Sequence, residues 1–183
     1  NFERKFASFN KSFVEQIESL ASSASEFSNL AKMPDTKLED WELLPIIEHT
    51  VSVFNSTDNV EIVLLNRSNR AIKILGDKDQ LMRTFNNLLK NAIEASEGKE
   101  RCAIKIKVIN DEKQVYVEVE DNGKGIDAGD LEKIFVPFYT TRKNGSGIGL
   151  TISRNIMKMH RGSIEVISTP ESGTTFSLVF NYV

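Results

Sequence analysis

Apolar residues recur at intervals of three and four along the first part of the chain, where neither Gly nor Pro occurs. They are Phe2, Phe6, Phe9, Phe13, Ile17, Leu20, Ala24, Phe27 and Ala31. This spacing predicts a long amphipathic helix over residues 1–33, which ends before Pro34 because proline disfavours helix in the preceding residue. The apolar stripe packs either on its own domain or against a partner helix. We favour the partner helix, because a long helix before a self-sufficient domain has little else to bury against.

After a polar linker at residues 34–40, the pattern changes to short alternating strands and intervening helices, so the body of the chain spans 41–183. Strands are predicted at 41–43, 60–65, 71–75, 103–110, 114–120, 163–168 and 174–182. Helices are predicted from Pro45, from Asp77 to about Ser96, at 128–133 and at 148–159, with a mobile loop at 136–147. Asp77 and Gln80 together resemble a capping box.

Two of the predicted strand pairs, 103–120 and 163–182, are hairpins, which break a purely parallel pattern. The fold class is therefore α+β, a two-layer sandwich with helices on one face of a mixed sheet, preceded by one long helix. The chain has 183 residues and 40% hydrophobic composition. This predicts one domain of ordinary size with a small appendage.

Charge and cysteine content exclude several functions. A net charge of −3 argues against a nucleic-acid partner bound through a general basic surface. The single Cys102, with only His49 and His160, cannot build a disulfide framework or a Cys/His zinc site, so we expect a reducing, cytoplasmic setting. No apolar run approaches the roughly 20 residues that cross a bilayer. The first residue is not Met and no signal-peptide pattern follows it, so we expect a fragment of a longer protein, compatible with a membrane-bound parent.

Three short motifs follow one another along the body: Asn-Leu-Leu-Lys-Asn-Ala at 87–92, Asp-Asn-Gly-Lys-Gly-Ile at 121–126 and Gly-Ser-Gly-Ile-Gly-Leu at 145–150. The first places Asn87 and Asn91 on one helix face, where two neutral oxygens suit a magnesium ion already held by phosphates. A single Asn would read better as a surface amide. Asn91 lies beside Ala92 and Ala95, where a buried amide needs a partner, and this favours a ligand role.

The second motif presents Asp121 at the end of a strand, where its carboxylate can accept a hydrogen bond from an adenine amino group. Gly123 and Gly125 let the backbone approach the ring. Alone, Asp-Asn-Gly is equally well a turn, and the other two motifs favour the site.

The third motif alone is a helix-initiating linker or a weak dinucleotide-like match. The dinucleotide interpretation fails because the motif does not follow the first strand of a βαβ unit. With Arg142 and Lys143 just upstream, the loop can instead close over a triphosphate through backbone amides and positive charge.

With these residues in view, the chain resembles the catalytic ATP-binding domain of a sensor histidine kinase of two-component signalling, in the superfamily shared with gyrase, Hsp90 and MutL. The expected fold is then the Bergerat-type ATP-binding fold. Five blocks carry the resemblance: the asparagine box at 87–95, the first glycine box at 121–126, Ile-Phe-Val-Pro-Phe at 134–138, the second glycine box at 145–150 and Gly-Thr-Thr-Phe at 173–176.

The resemblance implies ATP and Mg²⁺ as cofactors and assigns roles by position. By this resemblance, Asn91 is the catalytic residue and binds magnesium with help from Asn87. Asp121 recognises adenine, and Thr174 supports the adenine end of the nucleotide, either directly or through water. Phe135 and Phe138 anchor the lid, and the remaining nucleotide contacts are Lys90, Gly123, Gly125, Ile126, Arg142, Lys143, Gly145, Gly147, Gly149 and Leu150.

The amino-terminal helix resembles the second helix of a dimerisation and phosphoacceptor hairpin, of the nitrogen-regulation type. Neither His49 nor His160 stands in the phosphoacceptor motif, and each is expected to pack or cap. The resemblance therefore implies donation of the γ-phosphate to a histidine on a helix outside this chain, in a homodimeric parent, with relay to the receiver domain of a response regulator. Autophosphorylation of this chain alone is not expected.

Two departures from the family pattern refine the expectation. Glu94 stands where many histidine kinases carry Lys, so the phosphate contact must come from elsewhere. Asn87 stands where ATP-hydrolysing relatives carry Glu, and because Asn cannot accept the proton of water, hydrolysis should be slow. One alternative function, an ATP-driven clamp resembling MutL or gyrase, would need Glu in place of Asn87. A nucleotide-binding regulatory scaffold without phosphotransfer is the other alternative.

Overall fold

The computed structural model describes residues 35–68, 70–142 and 145–181, together with seven positions nearer the amino terminus. Those seven are Phe6, Phe9, Asn10, Phe13, Val14, Ile17 and Ala21, all helical and exposed, and the rings of Phe9 and Phe13 stack with centroids 6.2 Å apart. The exposure is what the partner-helix interpretation expects, and that interpretation stays a prediction. The predicted end of the helix at Met33 lies outside the described residues.

The described part of the body contains a five-stranded mixed sheet and a separate two-stranded one. The strands are β1 (Glu39–Glu42), β2 (Val60–Asn66), β3 (Lys73–Gly76), β4 (Cys102–Asn110), β5 (Gln114–Asp121), β6 (Ser163–Thr169) and β7 (Gly173–Asn181). The large sheet has the order β2-β4-β5-β7-β6, in which β2 and β4 are parallel and the other pairs antiparallel. β1 pairs with β3 in the small sheet.

Among the described residues from 35 onward, three long helices and one short one accompany the sheet: α1 (Leu43–Phe54), α2 (Lys78–Ala95), α3 (Ala128–Leu131) and α4 (Gly149–Met159). Burial alternates along β4 and β5, so that Ile106 and Val117 face the helices while Lys107 and Glu120 face outward and form an ion pair at 2.8 Å. Such an alternation is typical of a sheet with one face buried and the other exposed to solvent. The predicted α+β class with a mixed sheet is confirmed.

Helix α2 begins where the sequence predicted. The Asp77 side chain accepts a hydrogen bond from the Gln80 amide at 3.1 Å, which satisfies one of the unpaired amides of the first turn. The reciprocal bond of a capping box is replaced, because the Gln80 side-chain nitrogen donates to the Thr36 hydroxyl at 3.2 Å. The first turn of α2 is thereby joined to the segment before β1.

Helix α1 and the strands around it differ from the local pattern. α1 begins at Leu43 rather than at Pro45, because the Leu43 amide donates to the carbonyl of Ile72 at 2.9 Å and needs no helical partner. The strands on either side of the 67–72 segment do not pair with each other. β2 joins β4, and β3 returns to β1. Among the described residues, no helix is long and apolar enough to cross a membrane.

Candidate nucleotide-binding site

Helix α2 is the element on which the three sequence motifs converge. Its carboxyl-terminal end meets the loop after β5, where the Lys124 amide donates to the Ala95 carbonyl at 2.9 Å. Its middle meets α4, where the Asn87 side chain donates to the Ser153 hydroxyl at 2.9 Å. Residues far apart in the chain therefore border one region along α2.

Asp121 is a buried acid with one oxygen engaged and one open. Asp121 is 6% exposed, and Oδ1 accepts hydrogen bonds from the amides of Gly123 at 2.7 Å and Thr174 at 3.3 Å. None of the described residues donates a hydrogen bond to Oδ2. Burial raises the pKa of the Asp121 carboxyl above its ordinary value, against the lowering effects of those two amides and of Lys99 and Arg142 nearby. A buried acceptor without a donor fits a ligand N–H group.

The glycines around Asp121 are required by contacts within the protein. Gly125 has φ +73°, and a Cβ there would collide with the carbonyl of Thr169, the last residue of β6. A Cβ on Gly123 would lie 2.7 Å from the Cβ of Ala95 on α2. Close packing within the protein therefore requires glycine at both positions, and the reason inferred from sequence, room for a ligand ring, stays a prediction.

A hydroxyl network joins the loop after β5 to β6 and β7. The Ser168 hydroxyl donates to the Gly173 carbonyl at 2.9 Å and accepts from the Ile126 amide at 2.9 Å. The Thr174 hydroxyl oxygen lies 2.9 Å from the Ser168 hydroxyl oxygen. Because the single proton of Ser168 goes to Gly173, Thr174 donates to Ser168 and keeps its lone pairs for another donor. Ser168 was missed from sequence, since it stands in an ordinary strand with no motif around it.

Asn87 contacts the beginning of α4 at two residues, Gly149 and Ser153. Its nitrogen donates to Ser153, and its oxygen lies against Gly149, where a Cβ would collide with Oδ1. No described residue donates to that oxygen. Ser153, one turn into α4, was also not among the residues predicted from sequence.

Asn91 is bonded to Arg142, which belongs to the predicted mobile loop at 136–147, here called the lid. Arg142 Nη1 donates to Asn91 Oδ1 at 2.8 Å, and Nη2 donates to the Asn91 carbonyl at 3.1 Å. The same guanidinium forms an ion pair with Glu94. The Arg142 guanidinium therefore occupies the carboxamide oxygen of Asn91 that is predicted to bind magnesium. The carboxylate of Glu94 stabilises the guanidinium in this position.

The start of α4 presents unpaired backbone donors. None of the described residues accepts a hydrogen bond from the amides of Gly149, Leu150 or Thr151, the first turn of an eleven-residue helix. Such amides, with the helix dipole behind them, favour an anion. Gly147, at φ +68°, joins this turn to the lid, and its carbonyl accepts from the Phe138 amide at 3.0 Å.

The two predicted lid anchors behave differently. Phe135 packs against the core, lies 5.3 Å from the Arg154 guanidinium and offers its carbonyl to the Thr151 hydroxyl at 3.1 Å. Phe138 is 58% exposed and has φ +67°. Phe135 therefore anchors this segment through its side chain, and the Phe138 amide joins the segment to Gly147.

The remaining predicted residues contribute less to the geometry. Lys90 is exposed on α2, and Lys143 lies outside the described residues. Gly145 lies against the Thr140 hydroxyl, which a Cβ would meet at 2.6 Å. Lys99 was not predicted, and it donates to the backbone carbonyls of Asn122 and Gly123, beside Asp121.

The residues present fit a metal-bound nucleotide. Asp121 Oδ2 and Asn87 Oδ1 are acceptors without described donors, and the first turn of α4 offers free amides. Within the described ranges, no three His, Cys, Asp or Glu side chains cluster as a metal site. A metal ion here would therefore depend on carboxamides together with the oxygens of the ligand itself.

The family model described as histidine kinase-, DNA gyrase B-, and HSP90-like ATPase matches residues 76–182, more than half of the chain and all three motifs. The chain belongs to this family. Its relatives within the ATPase family include sensor histidine kinases. Sporulation kinase A of Bacillus subtilis (strain 168) is 35% identical over 159 residues, which cover 85% of this chain and 26% of the relative. Sensor histidine kinase ZraS of Escherichia coli (strain K12) is 34% identical over 156 residues, which cover 84% and 33%.

The chain thus spans about a quarter to a third of the length of these curated relatives. The catalytic domain of histidine kinase ThkA, in a nucleotide-free form, is 28% identical with a TM-score of 0.70, over 79% of this chain and 95% of that one. ThkA in complex with the response regulator protein TrrA matches with a TM-score of 0.78 at 24% identity, over 93% and 49%, which shows the shared fold. The expected nitrogen-regulation subgroup stays a prediction.

In this member of the ATPase family, the two histidines occupy different environments. His160 is buried at the end of α4, where Nδ1 donates to the Ile156 carbonyl at 2.7 Å and Nε2 accepts from the Asp77 amide at 2.8 Å. Both ring nitrogens are thus engaged in joining α4 to the start of α2. His49 is exposed on α1.

Proposed function

We propose that the chain is the ATP-binding core of a protein-histidine kinase, which holds Mg-ATP and donates its γ-phosphate to a histidine on a separate phosphoacceptor helix. The observation that carries the proposal is the pairing of a buried acceptor at Asp121 with amides at the start of α4, both without partners among the described residues and both bordering the same helix α2. The first suits the amino group of adenine, and the second suits phosphate.

The proposed orientation of the nucleotide follows from this pairing. Adenine lies at Asp121 and Thr174, with Gly123, Gly125 and Ile126 shaping the loop that carries the acid. The phosphates lie at the amides of Gly149 and Leu150, approached by Gly145, Gly147 and the lid cations Arg142 and Lys143, with Lys90 on the exposed side of α2. The carboxamides of Asn91 and Asn87 would both bind magnesium, which would neutralise phosphate charge when bound.

The chain's own residues contribute position and charge. Phosphoryl transfer needs an in-line nucleophile and compensation of the phosphate charge, with little covalent participation by the protein. Asn87 cannot remove a proton from water, so the arrangement favours transfer to an imidazole over hydrolysis. We assign the nucleophile to another helix, because His160 is buried with both nitrogens bonded and His49 lies on α1.

We assign the remaining parts by the same proposal. Residues 1–33 form the second helix of the dimerisation hairpin, 34–40 form the linker and 41–183 form the catalytic domain, although β1 already includes Glu39 and Asp40. The partners are the phosphoacceptor helix of the same kinase, in a homodimer, and the receiver domain of a response regulator. The family relationship and the exposed apolar positions of the amino-terminal segment support this assignment.

The test is reconstitution. The chain is mixed with γ-labelled ATP, magnesium and a second chain that carries a phosphoacceptor hairpin of this kinase class, with an Asp121→Asn variant of the present chain as control. We expect an acid-labile, base-stable phosphoprotein on the second chain that fails to form with the control. Nucleotide binding without any transfer to acceptor hairpins would instead favour a regulatory scaffold.

A further inference from the structure

We propose that Ser153 is a positioning residue, which orients the carboxamide of Asn87 so that its oxygen faces the phosphate end of the site. The inference deepens the proposed function and rests on it, since it concerns how the magnesium ligands of that site are set. It assigns a role in the site to a residue that lies outside all three sequence motifs.

The bonding of the Ser153 hydroxyl identifies which end of the amide it holds. Ser153 is 1% exposed, and its hydroxyl donates to the Gly149 carbonyl, one turn earlier in α4, at 3.1 Å. A hydroxyl has one proton, so with that proton committed it can only accept from Asn87. The atom of Asn87 at 2.9 Å from Ser153 is therefore the nitrogen.

The oxygen of Asn87 is turned toward the glycines as a consequence. Oδ1 lies against Gly149, the first residue of α4, so closely that a Cβ at that position would collide with it. No donor among the described residues reaches this oxygen. An oriented acceptor beside the free amides of α4 offers a ligand atom to a cation that travels with phosphate.

The opposite orientation of the amide is disfavoured by the same contacts. Turning the carboxamide over would bring its oxygen to the Ser153 hydroxyl, which would have to withdraw its proton from Gly149 to bond it. It would also present an NH₂ group, a donor, at the position proposed for magnesium. Ser153 thus acts as the outer partner of a metal ligand, and outer partners of this kind set the orientation of the ligands they touch.

The experiment measures the affinity for ATP by calorimetry, with magnesium and with EDTA, in the parent chain and in Ser153→Ala. We expect Mg-ATP to bind about tenfold more weakly in Ser153→Ala, while metal-free ATP binds as before, because outer partners of metal ligands typically contribute this much to metal affinity. Thr50→Val is the matched control. It removes another buried helix hydroxyl bonded one turn back, to Ile46 at 2.8 Å, and should change neither affinity.

A double mutant tests whether Ser153 acts through Asn87. If it does, adding Ser153→Ala to Asn87→Ala should weaken Mg-ATP binding no further. Full retention of Mg-ATP affinity in Ser153→Ala, an equal loss with and without magnesium, or additive losses in the double mutant would each overturn the inference. Binding by the parent chain that does not depend on magnesium would overturn the proposed metal site itself, and this outcome is read from the parent chain alone.

Discussion

Arg142 Nη1 donates a hydrogen bond to Asn91 Oδ1 at 2.8 Å, so the cation of the lid rests on the amide proposed as a magnesium ligand. Magnesium and the Arg142 guanidinium are both positively charged and repel each other, and both would bind the same Asn91 oxygen. Arrival of the metal should therefore release Arg142, which then becomes available to the phosphates. Glu94 opposes the release through its ion pair with Arg142.

The first prediction follows from this competition. Glu94→Gln removes the charge that retains Arg142, and a partly exposed ion pair is worth up to about 1 kcal/mol, so Mg-ATP should bind up to about fivefold more tightly. Calorimetry on the single variant measures the gain. The same substitution in an Arg142→Gln background serves as control, since the gain should disappear there. A persisting gain would mean that Glu94 acts by direct repulsion of phosphate, and weaker binding would contradict the competition.

The second prediction concerns the proposed metal ligand. Asn91→Ala should lower the affinity for Mg-ATP at least about tenfold and leave metal-free ATP nearly unaffected, because a lost ligand is felt only when the metal is present. Titrations with and without magnesium measure both values. Asn86→Ala, at a half-buried position of the same helix outside the first motif, is the control. Equal dependence on magnesium in all three chains would remove Asn91 from this role.

The third prediction tests adenine recognition. In Asp121→Asn, Oδ1 can keep the amides of Gly123 and Thr174, while an NH₂ group replaces the open oxygen and meets the amino group of adenine donor to donor. Loss of a hydrogen bond to a charged group costs about 1.5–3 kcal/mol, so ATP should bind about 10- to 100-fold more weakly in a folded chain. The exposed Asp58→Asn provides the control in the same titration. Unchanged affinity in Asp121→Asn would reject the assigned role.

The fourth prediction is a pH dependence with a definite sign. Burial raises the pKa of Asp121 in the folded chain, so between the unfolded value, about 3.9, and that raised value the folded state binds more protons. The contribution of Asp121 to stability is therefore fully present below the unfolded pKa and is lost as the pH rises through the folded pKa.

Urea unfolding across this acidic range checks the sign by comparing the parent chain with Asp121→Asn. The free energy of unfolding of the parent, relative to the variant, should fall as the pH rises. An opposite slope would show that the neighbouring amides and cations outweigh burial. Acidification in the same range should also weaken ATP binding by the parent, since protonation removes the charge that strengthens the bond to the amino group.

The fifth prediction separates packing from ligand contact at the first glycine box. Gly125→Ala forces a Cβ into the carbonyl of Thr169 at a left-handed φ, and strain plus overpacking should cost about 2–5 kcal/mol of stability without any ligand present. Gly129→Ala is the control, because a Cβ at Gly129 meets nothing within 4 Å. Thermal unfolding of both variants decides the matter, and equal melting temperatures would leave Gly125 with a ligand role alone.

Much of the fold was readable from local patterns. The local pattern predicted β4 and β5 as two strands of a hairpin, and Asp77 marked the start of α2, because strand period and helix capping depend on residues close together in the chain. The three motifs likewise indicated Asn91 and Asp121 as candidate site residues.

The sequence by itself therefore determined most of the helices and strands and the three motifs that indicate the chemistry of the site. Only the tertiary structure decided that β2 pairs with β4 while β3 pairs with β1, that Gly125 is needed against Thr169, and that Ser153 holds Asn87. Each of these is a contact between residues distant in the chain. The period of a pattern states which face of an element is buried, but the partner of that face depends on how all the elements pack together.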